Sequence, residues 1–106
     1  MSFKQSQQEV DKWASQFEPA YWRPHEILAR ITEEVGELAR LINHSYGPKP
    51  KKSSEAAQEM GEELADIIFA LFCLANSQGI DLDKSFSRVM DKAYGRDNDR
   101  FPKKTN

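Results

Sequence analysis

The chain has 106 residues, of which 39% are apolar, and its 15 Lys and Arg against 17 Asp and Glu leave a net charge of −2. That length accommodates one domain, residues 1–106, and near-balanced charge gives no general pull toward nucleic acid or an anionic membrane. An anionic substrate would have to be held by metal ions or by a few placed cations. The single Cys73 excludes an intramolecular disulfide and reads as a small core residue in a reducing compartment. The start, Met1 to Gln8, is too polar for a signal peptide, and the longest apolar run, Ile67 to Ala75, is far short of the roughly 20 residues a membrane span needs. A cytoplasmic protein is expected.

Four helices and no strand are expected in chain order. The first covers about Gln5 to Phe17, with Val10, Trp13, Ala14 and Phe17 at helical spacing, and it ends in the linker Glu18-Pro19-Ala20-Tyr21-Trp22. The second starts at Pro24, a residue suited to a first helical position, and runs to about His44. The segment Gly47 to Ser54, with two prolines and three lysines, has to be a loop. A third helix, capped by Ser54, runs to Gln78-Gly79. Asp81 or Asp83 caps a fourth, which carries Phe86, Val89, Met90 and Tyr94. The order implies an all-α antiparallel bundle. A chain this short has a marginal core, which association with further copies would complete.

Helices two and three carry acids where apolar residues belong. At about 100° per residue, with Glu34 at zero, Leu41 falls near −20° and Ile27, Leu38 and Ile31 near +20°, +40° and +60°. Glu34 therefore lies in the apolar stripe, Glu37 at its edge and Glu33 further out. With Glu63 at zero, Ala70, Leu74, Ile67 and Met60 take the matching angles, and Asp66 stands where Glu37 does. Packed antiparallel, the two helices can bring the pairs face to face. Buried carboxylates are costly unless paired, protonated or metal-bound, and four together raise one another's pKa. A divalent ion relieves this, and all-oxygen ligation favours Mg²⁺, Mn²⁺ or Ca²⁺ over zinc.

Glu33-Glu34-Val35-Gly36-Glu37 followed by Glu63-Leu64-Ala65-Asp66 resembles the E-E-x-x-E and E-x-x-D motifs of the MazG-like nucleotide pyrophosphohydrolases. The likeness extends over most of the chain and is closest to small single-domain bacterial members. It implies a homodimer or dimer of dimers that hydrolyses NTPs or dNTPs to monophosphate and pyrophosphate, with Mg²⁺ as cofactor and Mn²⁺ as a substitute. It also implies Glu34, Glu37, Glu63 and Asp66 as metal ligands, and Glu33 as the group that activates water or binds a further ion. Lys92 and Arg96 resemble the family's late K-x-x-x-R, which assigns them to phosphate binding.

Lys92, Arg96 and Arg100, at i, i+4 and i+8, are expected on one face of the last helix. Trp13, Phe17, Tyr21 and Trp22 are candidates to stack on a base, and Asn43 and His44 to hydrogen-bond base or sugar. Trp22, Asn43 and Arg100 complete the substrate-binding candidates. Neither histidine forms Glu-x-x-His with an upstream Glu, which disfavours a di-iron bundle. The alternative function is a non-catalytic helical regulatory module in which the acids hold a structural ion. Nucleotide-pool house-cleaning is the role expected of the enzyme.

Overall fold

The computed structural model describes residues 2–46 and 53–105. Four helices follow in order: α1 Phe3–Ala14, α2 Pro24–Tyr46, α3 Ser53–Ser77 and α4 Leu82–Tyr94. The expected all-α class holds, and the described residues form no strand.

The helix ends show why boundaries shift from the sequence reading. Ser2 and Gln5 form a reciprocal capping box, so α1 starts earlier than the apolar periodicity indicates. It also ends earlier, at Ala14; Phe17 lies in the following turn and packs edge-on against Trp13 at 5.0 Å. At the start of α2 the Arg23 N–H donates to Glu26 Oε1 at 3.0 Å, the returning half of the same kind of box. The cap expected at Ser54 falls one residue inside α3. After Ser77 the chain leaves α3 through Gly79, whose φ of 65° suits a residue without Cβ. There the Ile80 N–H donates to the Ala75 carbonyl and the Gly79 N–H to that of Asn76, a Schellman closure. Of the two acids offered as caps for α4, Asp81 does cap it, accepting from the Asp83 and Lys84 N–H groups. Asp83 instead accepts from Phe3 and Lys4 at 3.1 and 3.2 Å. Its charge thus sits at the positive end of α1.

Helices α2 and α3 make the largest contact in the fold. They run antiparallel: Leu41 and His44 share a recess with Glu59 and Glu63, whereas Ile27 and Arg30 meet Phe69, Ala70 and Cys73. Helix α1 lies across one side of α3, through Trp13 against Phe69 and Phe3 against Phe72. Helix α4 turns away by 111° from the Gln58–Ser77 part of α3 and touches α1, where Phe86 meets Phe3 at 5.2 Å.

A polar knot ties α1 to the corner between α3 and α4. Buried Gln7 donates to Asn76 Oδ1 (3.0 Å) and to the Ile80 carbonyl (2.7 Å), and accepts from the Leu82 N–H (3.0 Å). Asn76 donates to the Gln7 carbonyl and to the Tyr21 hydroxyl, which donates to Asp11 at 2.6 Å. Burial, followed by the bond to Asp11, pushes the Tyr21 phenol up to about 12. The knot fixes the linker at Tyr21, and so holds the Pro19–Trp22 strap beside α1 and α3.

The single chain does not close a core. Among the described residues, the buried apolar ones are Ala14, Ile27, Leu41, Ala70, Phe72 and Ala75. It exposes 8583 Å², against about 6000 Å² for a compact monomer of this mass. Leu28, Val35 and Ile42 on α2, and Leu64, Ile68 and Leu71 on α3, stay substantially exposed. They lie at roughly +80° to +140° on the scale above. Between antiparallel helices these angles point to the same side, away from α1. No single helix among the described residues is long and apolar enough to cross a membrane.

Candidate metal and nucleotide site

The acidic register read from sequence is realised where α2 and α3 face each other. Glu34, Glu37 and Glu63 each offer a carboxylate oxygen, and these oxygens lie within 4.8 Å of one another. Glu34 is buried at 2% exposure because it occupies a core position of α2. Two buried oxygens, Glu34 Oε2 and Glu63 Oε2, have no hydrogen-bond partner. Orphaned anionic atoms at this depth are costly, and a hard divalent cation with oxygen ligands satisfies both. The donor set therefore fits such an ion.

Asp66 does not join the trio. It is exposed and lines the neighbouring cavity with Glu34, and its charge acts on Glu63. Glu33, one residue before Glu34, faces solvent and lies 3.6 Å from Arg30. Arg30 was not among the residues singled out from sequence, yet its Nη2 lies 2.8 Å from Glu34 Oε1. An Arg-x-x-x-Glu pair normally signals a surface contact. The signal for more was that this Glu lies in the apolar stripe.

Burial raises the Glu63 carboxyl above its usual value, and the carboxylates of Glu34, Glu37 and Asp66 raise it further. Between the unfolded value of 4.5 and the higher folded one, folding takes up a proton. Glu63 thus stabilises the metal-free fold fully below the unfolded value, and that contribution is lost as pH rises through the folded value. Melting of the protein in EDTA from pH 4.5 to 8 should show wild type losing stability relative to Glu63→Gln as pH rises. A constant difference between the two proteins would contradict the assignment.

Beside the acids opens a cavity of about 790 Å³, within the range of small-molecule sites. Trp13, Phe17 and Phe69 line it, as does the Glu18–Trp22 strap, with Arg30, Glu34 and Asp66 at its acidic side. Trp22 and the other aromatics proposed for stacking therefore meet in one place. Asn43 lies elsewhere, exposed near the end of α2, and His44 lines the smaller recess with Glu37 and Glu63.

The basic face expected on the last helix is corrected. Helix α4 ends at Tyr94, with Gly95 as its cap, so Lys92 closes the helix while Arg96 and Arg100 fall in the turns beyond. A Cβ at position 95 would stand 3.1 Å from the Asp91 carbonyl oxygen, tight for any larger residue. Asp97 gathers both arginines, at 3.2 and 3.1 Å. Helix α4 reaches the rest of the chain chiefly through α1, so within one chain these cations are not packed against the acids. Lys49, Lys51 and Lys52, in the loop expected after the second helix, lie outside the described residues.

Comparison with known proteins agrees with the motif. Residues 23–101 match the MazG nucleotide pyrophosphohydrolase domain. Two uncharacterised Bacillus subtilis (strain 168) proteins are related: YpjD at 48% identity over 103 residues, covering 97% of this chain and 93% of that one, and YvdC at 32% over 98 residues, covering 83% and 92%. The crystal structure of B. subtilis YpjD, a candidate pyrophosphatase, superposes with a TM-score of 0.78 at 49% identity, covering 87% of this chain and 94% of that one. A Bacillus-conserved MazG protein described as a nucleotide pyrophosphohydrolase superposes at 0.75 and 41% identity, covering 87% and 88%. Acidic pairs on facing helices, a family match over most of the length and two well-covered structural relatives lead to one assignment: the chain belongs to the MazG nucleotide pyrophosphohydrolase family.

Proposed function

We propose that the protein is a Mg²⁺-dependent pyrophosphohydrolase that converts a nucleoside triphosphate, ribo or deoxy, to the monophosphate and pyrophosphate. The observation that carries this reading is the pair of orphaned buried oxygens on Glu34 and Glu63, the first of these residues lining an aromatic cavity large enough for a nucleoside. Glu34, Glu37 and Glu63 would hold the ion, with Asp66 proposed as a further ligand from the cavity side. Mn²⁺, with the same oxygen preference, can take its place. When bound, the ion supplies charge neutralisation on the phosphates and a bound water of lowered pKa.

The chain's own residues do the rest. The aromatic walls hold the base, with Trp22 on the strap as a stacking surface. The acids would present the triphosphate through the ion, and Glu33 is the proton acceptor proposed for attack at the α-phosphorus. Water forms the new P–O bond there, its proton passes to Glu33, and the bond from the α-phosphorus to the bridging oxygen breaks to release pyrophosphate. Lys92, Arg96 and Arg100 are proposed to neutralise phosphate charge, which requires α4 to be brought to the acids by a second copy. Asn43 is a candidate contact at the far end of α2. The proposed role is removal of unwanted nucleotides from the pool of a cytoplasmic protein's surroundings.

The test is a panel of NTPs and dNTPs with Mg²⁺, with products resolved. Monophosphate and pyrophosphate, abolished by EDTA and restored by Mg²⁺ or Mn²⁺, are expected. Diphosphate with phosphate would overturn the bond assignment. A silent panel with Mg²⁺ bound would make the protein an ion-stabilised regulatory module.

A further inference from the structure

We infer that Arg30 is a positioning residue for the ion site: it holds one oxygen of Glu34 so that the other is presented to the metal. This rests on the metal reading above but not on the reaction. Arg30 stands one turn before Glu34 on α2, and its guanidinium forks across two acids, with Nη2 2.8 Å from Glu34 Oε1 and Nη1 3.6 Å from Glu33 Oε2. The Glu34 side chain is 3% exposed while that of Arg30 is half exposed, so the pair straddles the boundary between core and cavity. One Glu34 oxygen is thereby occupied. The other, Oε2, is buried and unpartnered, and Glu34 belongs to the carboxylate trio with Glu37 and Glu63.

Two effects of the guanidinium oppose each other. Its positive charge repels a nearby cation, which would make Arg30 a competitor of the metal. Its ion pair holds a buried carboxylate that has no other cation paired with it among the described residues. The second effect prevails because Arg30 is already neutralised by two acids, Glu33 and Glu34, with Asp66 lining the same cavity. Without it, Glu34 would keep its burial and its repulsion from Glu37 and Glu63 but lose the ion pair that holds one of its oxygens. Partners that orient ligands in this way typically control metal affinity by about 10–100-fold. A lysine keeps the charge but offers no rigid fork.

The experiment is Mn²⁺ binding without nucleotide, followed by electron paramagnetic resonance and calorimetry, on wild type, Arg30→Gln and Arg30→Lys, with circular dichroism to verify helicity. Arg30→Gln should bind Mn²⁺ about 10-fold or more weakly, and Arg30→Lys should fall between it and wild type. Unchanged or tighter binding in Arg30→Gln would overturn the inference and make the guanidinium a spectator or competitor. Should Arg30→Gln fail to fold, Arg30→Lys decides alone, and wild-type affinity there removes the case for the fork. A wild-type protein that binds no Mn²⁺ would overturn the metal reading and this inference with it.

Discussion

Glu63→Gln is expected to cut pyrophosphohydrolase turnover by ~10²-fold or more while raising the melting temperature of the metal-free protein at neutral pH. Both effects have one origin. In the metal-free fold Glu63 brings a carboxylate into contact range of Glu34 and Glu37 with a buried oxygen that nothing satisfies. The amide is nearly isosteric and removes the repulsion that raises the Glu63 carboxyl, so the fold gains. It also removes an anionic ligand, so the ion and the reaction lose. A residue kept for its chemistry at a cost to the fold behaves in this way. A variant that lost activity and stability together would instead describe Glu63 as part of the scaffold. Thermal melts in EDTA and steady-state turnover in saturating Mg²⁺ separate the two.

The second large effect concerns association. Leu28, Val35, Ile42, Leu64, Ile68 and Leu71 form one apolar face on the side of the α2–α3 layer opposite α1. A second copy of the same layer is the covering proposed for this face, since two such pairs would make a four-helix core. Each of these side chains contributes roughly 1.5–3 kcal/mol when fully buried from full exposure. Even half that, summed over both copies, is comparable to the cost of association. Sedimentation should therefore give a species of at least twice the 12.2 kDa chain mass. Val35→Asp with Ile68→Asp should shift it to the monomer and lower the melting temperature. A wild-type protein that sediments as a 12.2 kDa monomer at micromolar concentration would refute the shared core.

The sequence made the acidic register legible because a helix has a fixed angular step. Glu34 and Glu63 could be placed inside apolar stripes without knowing where the helices lay, and the antiparallel pairing followed from a short connection. What stayed hidden depended on contacts across long separations. Gln7 and Asn76 are 69 residues apart and carry no pattern, yet their bonds fix the strap that walls the cavity. Asp83 looks like a local cap and instead serves the start of α1 from 80 residues away. The apolar stripes around Glu34 and Glu63 are buried or half-buried as read, whereas the apolar residues beside them stay exposed: periodicity marks which face is apolar and not what covers its margin. The last helix was read too long because Arg96 and Arg100 continue the spacing past Gly95, where the backbone no longer does. The capping box of Ser2 and Gln5, by contrast, was available in the sequence as S-x-x-Q.

The most direct test of the proposed reaction is turnover in ¹⁸O-enriched water with Mg²⁺, the products separated and weighed by mass spectrometry. Attack at the α-phosphorus predicts one ¹⁸O in the nucleoside monophosphate and none in the pyrophosphate. Label in the pyrophosphate would place the attack at the β-phosphorus and contradict the account of how the acids present the substrate.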